Sequence, residues 1–385
     1  MVAPLRILEE FAVLHTLLVG LGRSGRELHL PVLRRLRQDA GAGSDHAAPA
    51  AVFAPAPPLG YDLVPLPDGQ QVPGLTVVAT PAQARAALDP KHTVVHLCTP
   101  PGQRAEVLRD LAELGFTQFL VEKPLGVDSA AVDDIRAVRD AYGLRLAVVA
   151  PWLHSTLTER LRRTVASGRL GQLRRITVHQ RKPRLRRSLS TPSHPTAFDV
   201  ELPHSVGVVL QLAGGGQVTD ATWSDASSGE RVVPKMGTAE LTLAHTAGAT
   251  TRIVSDLVAP VRERSIVLDF DAGRAEGHYP ISGDDNYAQL RVTPIGLPEE
   301  HEVFQDDALD ACLLDTYRGF AAHTDFTAAF ELQAQVVEVL ESAKQHAAAA
   351  EQGTAAAPAG RAAVPAARPA DEQVTSEKNG SIHVG

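Results

Sequence analysis

Short apolar runs alternate with helix-like stretches over residues 16–150, and this alternation restricts the fold more than any other feature of the chain. Thr16-Leu17-Leu18-Val19-Gly20, Thr93-Val94-Val95-His96-Leu97, Gln118-Phe119-Leu120-Val121 and Arg145-Leu146-Ala147-Val148-Val149 are nearly unbroken apolar segments. Strands of that kind are covered on both faces, as in a parallel sheet. The segments between them, 24–38, 103–114 and 128–142, read as helices; Leu28, Val32, Leu33 and Leu36 fall on one side of the first. Strand–helix units joined by right-handed crossovers build a doubly wound sheet. A second strand is expected at Ala51-Val52-Phe53-Ala54, after a loose connection at 39–49. The Pro- and Gly-rich segment 55–75 resists assignment.

The pattern changes after Pro151. A helix is expected over 155–168, where Leu157, Leu161 and Val165 recur at helical spacing. Strand-like segments follow at 174–181, 217–223, 238–246, 250–257 and 264–270, with few helices between them, so this half reads as a mostly antiparallel sheet. Helix returns over 305–347. From Ala348 onward the apolar period disappears, which predicts a disordered tail over 348–385. At 385 residues the chain exceeds one ordinary core. The expected division is therefore 14–150, 151–347 and the tail.

Bulk properties exclude several classes. A net charge of −8 argues against a general nucleic-acid binder. Cys98 and Cys312 are the two cysteines and cannot form a disulfide framework, which predicts a reducing, cytoplasmic setting. Cys98 follows an apolar run and is expected as a buried thiol. No stretch approaches the roughly 20 apolar residues of a membrane helix. The start of the chain, with Glu9 and Glu10, lacks the features of a signal peptide. No His/Cys/Asp cluster has metal-ligand spacing, so no metal is expected.

Gly20-Leu21-Gly22-Arg23-Ser24-Gly25 matches G-x-G-x-x-G and lies between an expected strand and an expected helix. That context suits a dinucleotide: Gly20 for the tight turn, Gly22 for close approach of the pyrophosphate, Gly25 for helix–strand packing. The helix N-terminus then offers free N–H groups to the phosphates. An acid usually ends the second strand of an NAD site. The expected second strand ends Ala54-Pro55-Ala56; Asp45 precedes it and Asp62 lies beyond it. With no acid there, and with Arg23 in the turn, the expectation is NADP or NAD, leaning slightly to NADP. Further on, Glu122-Lys123-Pro124 closes an expected strand, so Lys123 points into the crevice where ligands bind in open α/β sheets. A lysine there can polarise a carbonyl or hold a hydroxyl being oxidised.

With these motifs in order, the chain resembles the glucose–fructose oxidoreductase, inositol dehydrogenase and rhizopine catabolism (Gfo/Idh/MocA) family of NAD(P)-dependent oxidoreductases. The resemblance runs over about residues 14–347. It is carried by the glycine turn and His29-Leu30-Pro31-Val32-Leu33, by Thr99-Pro100-Pro101, and by Glu122-Lys123-Pro124. It implies an N-terminal Rossmann domain and a C-terminal α/β domain with an open sheet that often joins subunits as a dimer or tetramer. It implies cofactor contacts from Gly20, Gly22, Arg23, Ser24, Gly25, Thr99, Pro100, Glu122 and Lys123. It pairs Lys123 with His204 in catalysis. Two departures stand out: the aspartate expected three residues after the histidine is Gly207, and the usual glycine two residues before it is Leu202. Asp199 or Glu201 could supply a carboxylate instead. Trp152 and His154 are expected to line the pocket. His96 is expected in the core. Arg104, where many members carry histidine, is left between a cofactor phosphate and solvent.

Residues 160–198 contain no Asp or Glu but carry eleven Arg and Lys residues, among them Arg184, Arg186 and Arg187. A solvated, acid-paired surface is the commoner meaning of such a run. The sharper alternative is a loop, 181–198, that closes over an anionic substrate. The working expectation is hydride transfer between nicotinamide and a secondary alcohol or ketone of a sugar, aminosugar or cyclitol. A nucleotide-sensing regulator that does not catalyse, and a reductase of an imine- or pyrrole-type substrate, remain open beside it.

Overall fold

The computed structural model describes residues 12–41, 52–66, 71–190 and 194–356. Two sheets organise the chain. In the first half, β1 (His15–Val19), β2 (Leu59–Tyr61), β3 (Thr76–Val77), β4 (Thr93–Leu97), β5 (Gln118–Val121) and β6 (Arg145–Val148) form a parallel sheet in the order β3-β2-β1-β4-β5-β6. The order reverses at β1, which puts the crevice beside the carboxyl ends of β1 and β4. Helices α1 (Leu30–Gly41), α2 (Pro81–Ala87), α3 (Arg104–Glu113) and α4 (Ser129–Tyr142) connect the strands. Asp128 caps α4 by accepting from Ala131 N–H, and Gly143 ends it with φ +60°.

The second half begins with α5 (Thr156–Ala166), followed by β7 (Leu173–Arg181), α6 (Leu185–Ser190) and α7 (Leu202–Ala213). Then come β8 (Gly216–Trp223), β9 (Ala226–Ser228), β10 (Arg231–Val233), β11 (Thr238–His245), β12 (Thr250–Asp256), β13 (Glu263–Phe270), β14 (Gly273–His278), β15 (Tyr287–Pro294) and β16 (Glu300–Gln305). Eight of these strands pair as β16-β15-β14-β13-β7-β12-β11-β8, antiparallel except at β7–β12. Helix α7 is buried along nearly its whole length beneath this sheet.

Helices α8 (Ala308–Ala321) and α9 (Thr327–Ala356) join the halves. Leu313, Tyr317 and Phe320 of α8 pack with Leu14, Leu18 and Leu33 of the first half. On α9, Phe330, Ala334 and Val337 face the first core, while Val336, Val339 and Ala343 face the second. Among the described residues no helix is long and apolar enough to cross a membrane.

Several expectations need correction. Phe53 makes only an isolated bridge to Leu14, and the second strand of the sheet is β2, inside the segment that resisted assignment. Its Gly60 reads as a strand breaker. In the fold that glycine lies against Leu75 and Leu21, so closely that a Cβ would meet both side chains. The helix after the glycine turn opens as a π-helical turn, Ser24–His29, which rotates Leu28 outward to 38% exposure and His29 inward. Helix α9 continues nine residues past the expected start of the tail, through an alanine-rich stretch with high helix propensity. Trp223 of β8 donates to Glu351 near its end. Residues 357–385 lie outside the described residues, as does Asp45.

Candidate active site

The glycine turn links β1 to the π-helical turn. Gly20 has φ +93°, and a Cβ there would sit 2.8 Å from the Cys98 carbonyl carbon. A Cβ on Gly25 would collide with the Gly20 carbonyl oxygen, so helix and strand touch through glycine alone. Around Gly22, by contrast, a Cβ would meet nothing within 4 Å. That open side faces a cavity of about 710 Å³. Arg23 and Ser24 also line it, Arg23 while paired with Glu27 at 3.0 Å on the surface.

Because β2 ends at Tyr61, Asp62 follows its carboxyl end directly, and the expectation of no acid at that point fails. One Asp62 oxygen accepts from Leu21 N–H at 2.5 Å, within the glycine turn, and the other accepts from Val64 N–H at 2.9 Å. Asp62 lines the same cavity. The misplaced strand hid it.

The segments after β4 and β5 form the floor. Thr99, Pro100, Glu122 and Lys123 line the cavity. The Thr99 hydroxyl is buried and lacks a hydrogen-bond partner. Cys98, expected as a buried thiol, is half-buried and lines the cavity too. Lys123 Nζ donates to the Val200 carbonyl at 3.2 Å, reaching the second half of the chain. Burial lowers the lysine pKa, against the pull of Glu122 and Glu201. The Lys123–Pro124 peptide is cis. Arg104 lines the cavity as well but is turned away from solvent. It is 2% exposed, and its guanidinium donates to the carbonyls of Thr99, Pro124 and Leu125, tying the two floor segments together.

Beneath the floor runs a chain of buried polar groups. Thr16 Oγ1 meets Tyr317 OH at 2.5 Å, and Tyr317 OH meets His96 Nε2 at 2.9 Å. His96 Nδ1 meets His29 Nδ1 at 2.8 Å, and His29 Nε2 meets Glu122 Oε1 at 2.9 Å. Burial opposes charge on His29, but the Cys98 sulfur, 3.8 Å away, and the Glu122 carboxylate raise its pKa well above the usual range. His96, buried beside it, is pushed well below. A protonated His29 donates to both Glu122 and His96, which leaves His96 a neutral acceptor at Nδ1.

His204 does not line the large cavity. It lies in a narrower cleft with Trp152, Leu153, Pro203 and Gln333, and Lys123 is common to both spaces. Trp152 stacks on His204 with ring centroids 5.8 Å apart and on Tyr279 at 4.2 Å. Burial, and then the charge of Lys123, lowers the His204 pKa to about 3. Glu201 is buried, paired with Lys182 and 4.0 Å from Arg264, and its carboxyl is held down at about 2. Asp199 lines the large cavity, accepts from Thr196 at the start of a short 3-10 turn, and pairs with Lys344 at 3.1 Å. His154 lines neither space; its ring faces Asp315 of α8 at 3.1 Å.

The basic block divides. Arg160, Arg162, Arg169, Arg174 and Arg181 pair with Glu302, Glu159, Glu300, Asp271 and Glu263, the commoner outcome for a charge run. Arg184 is buried and Arg186 exposed, and neither lines the cavity, whereas Arg187 does. His194 lines it as well, with its pKa lowered to about 4 by burial and by Lys123. Reading the sequence missed Asp62, His194, Lys344 and Gln333. For the first, placing β2 correctly would have been enough. The others carry no local signal. Among the described residues, no group of three His, Cys, Asp or Glu side chains could hold a metal ion.

No family model and no curated protein matches this chain. Solved structures do, through the fold. KijD10, a 3-ketoreductase from Actinomadura kijaniata in complex with TDP-benzene and NADP, aligns with TM-score 0.66 at 14% identity over 87% of this chain and 98% of that one. An NAD-binding oxidoreductase from Klebsiella pneumoniae aligns with TM-score 0.66 at 13% identity over 88% and 98%. A protein from Desulfitobacterium hafniense, described as an NADPH-dependent oxidoreductase, aligns with TM-score 0.71 at 14% identity over 88% and 97%. The α/β architecture, a parallel Rossmann-like sheet beside a larger, mostly antiparallel one, is therefore shared along nearly the whole length of these proteins.

Proposed function

We propose that this protein is a nicotinamide-dependent oxidoreductase acting on a secondary alcohol or ketone of a sugar, aminosugar or cyclitol. One observation carries the reading: a glycine turn open at Gly22 and a half-buried Lys123 line the same cavity at the carboxyl ends of β1 and β5. The dinucleotides of the structural neighbours support it.

When bound, the nicotinamide dinucleotide supplies the redox chemistry, a hydride exchanged at a carbon of the substrate. The chain's own groups do the rest. The backbone at Gly22 and the helix start at Ser24 would hold the pyrophosphate. The unpartnered Thr99 hydroxyl offers a polar contact on the same floor. Lys123 uses one N–H on Val200 and has two left to stabilise a developing alkoxide or polarise a carbonyl. His204, whose pKa burial and Lys123 lower to about 3, would take the proton of a substrate hydroxyl only once that burial is relieved. Asp62 suits the ribose hydroxyls of NAD, while Arg23 and Arg187 suit an added phosphate. The open sheet's outer face carries charged pairs such as Arg252–Glu240, and a homodimer or tetramer through it belongs to the same reading.

Fluorescence titration with NADH and NADPH side by side tests the proposal. Binding of either is expected, and their ratio reports which demand at the ribose prevails. Binding of neither would sink the oxidoreductase reading and leave a regulator of the same fold.

A further inference from the structure

The histidine that shares the large cavity with Lys123 is His194, whereas His204 lies in the narrow cleft. Burial, and then the charge of Lys123, holds the His194 imidazole neutral down to about pH 4, so the two side chains are near neighbours. Arg184 and Arg187 act in the same sense, and Asp199 opposes them. The ring is half-buried, and among the described residues no hydrogen bond holds it. The contrast with the structural histidines is plain. His29, His96 and His245 each spend both ring nitrogens inside the fold.

The backbone at His194 is nonetheless anchored. Pro195 follows it, and Thr196 and Asp199 close a reciprocal capping box directly after. Asp199 is held in turn by Lys344 at 3.1 Å. A free ring on a fixed segment, facing a cavity beside a lysine, is placed to meet a ligand. A neutral imidazole next to a cation is a weak base but keeps one N–H to donate. Such a donor suits an oxygen on which negative charge develops, because it adds no second charge to a buried site.

We propose that His194 is a catalytic residue: its ring donates a hydrogen bond to the same substrate oxygen that Lys123 polarises. In the reducing direction, a hydride arriving from the reduced dinucleotide forms the new C–H bond and pushes the C=O π pair onto oxygen. Lys123 gives that oxygen its proton, and His194 holds the charge while it forms. Oxidation reverses each step. The inference rests on the oxidoreductase reading and assigns a residue to it.

The test uses the full chain, with NAD and NADP and with myo-inositol, D-glucose and D-glucosamine as probes. Wild type, His194→Leu and His194→Asn are compared for Tm, dinucleotide Kd and kcat. Both variants are expected to keep Tm and Kd, because the ring they remove has no partner in the fold. His194→Leu is expected to lose about 100-fold in kcat, and His194→Asn, which retains a donor, to recover about tenfold of that. Carbethoxylation by diethyl pyrocarbonate, mapped by mass spectrometry, gives a readout apart from turnover. His194 should be labelled well before His204, and adding a polyol that is turned over to the dinucleotide complex should slow the labelling. Full turnover in His194→Leu would overturn the inference. So would equal losses in both variants with a lowered Tm, the mark of a structural role, or labelling that the polyol leaves unchanged. Failure of the underlying reading looks different: wild type would then bind neither dinucleotide, or bind one and oxidise none of the three probes, and the inference would fall with it.

Discussion

Two polar clusters meet at Glu122 and Lys123, and they are completed in different ways. Below the floor, Thr16, Tyr317, His96, His29 and Glu122 form an unbroken hydrogen-bonded chain. Beside the floor, Lys123, His204 and Gln333 line a cleft in which one donor is unpaired and a glycine faces it. A chain that satisfies itself needs no ligand and ties elements together, here β1, β4, α8, the π-helical turn and the end of β5. An unfinished cluster gives up stability unless something else completes it. The difference separates scaffold from site more clearly than residue type does, since both clusters contain histidine.

The largest effect should come from breaking the finished cluster. His29→Leu leaves the Glu122 carboxylate buried without its partner, and about 3–5 kcal/mol of stability should be lost at neutral pH. Urea unfolding measures this; a loss under 1 kcal/mol would show that the chain is not the scaffold described. In the unfinished cluster, Lys123→Ala should lower turnover roughly 100- to 1000-fold with little change in dinucleotide Kd. Retained turnover would remove Lys123 from the chemistry.

A smaller effect tests the turn above both clusters. Asp62→Ser removes the carboxylate at the end of β2, and the NADPH-to-NADH affinity ratio should rise about tenfold. An unchanged ratio would mean that Asp62 serves only Leu21 and Val64.

The smallest effect sets the clusters against each other through pH. His29 has a raised pKa, so its contribution is full below about 6.5 and fades as pH rises through the raised value. His204, lowered to about 3, works in the opposite sense: its contribution is full above about 6.5 and is lost as pH falls toward 3. The stability gap between wild type and His29→Leu should therefore narrow from pH 7 to 9. Relative to wild type, His204→Leu should gain stability from pH 6.5 to 4. Parallel pH profiles for the two variants would contradict the assigned charge states.

Much of the fold was legible. Strands β1, β4, β5 and β6 follow their apolar runs within a residue, because strands covered on both faces need uninterrupted apolar side chains. β15 was missed although Ala288, Leu290 and Val292 alternate with exposed residues, whereas β14 and β16 were missed for the opposite reason. Gly273-Arg274-Ala275-Glu276-Gly277-His278 offers almost no apolar pattern, and β16 is an edge strand that is exposed along most of its length. At the site, the glycine turn, Thr99 and Lys123 were readable because each sits at the end of a recognisable strand. His154 was misplaced because its partner, the carboxylate of Asp315, is set by helix docking, and the burial of Arg104 among the carbonyls of Thr99 and Leu125 carries no local signal.

By itself, the sequence determined the parallel sheet, the glycine turn and the lysine at its crevice, since each depends on neighbours a few residues away. Only the tertiary structure decided that Asp62 follows directly on a strand, that His29 faces inward, that His204 stands in a cleft apart from the main cavity, and that Gln333 is left without a partner opposite Gly207. Those outcomes depend on which buried polar groups find one another across as many as 300 positions of sequence, as Thr16 and Tyr317 do. Local periodicity carries no record of such pairings, because it registers only whether a position is apolar.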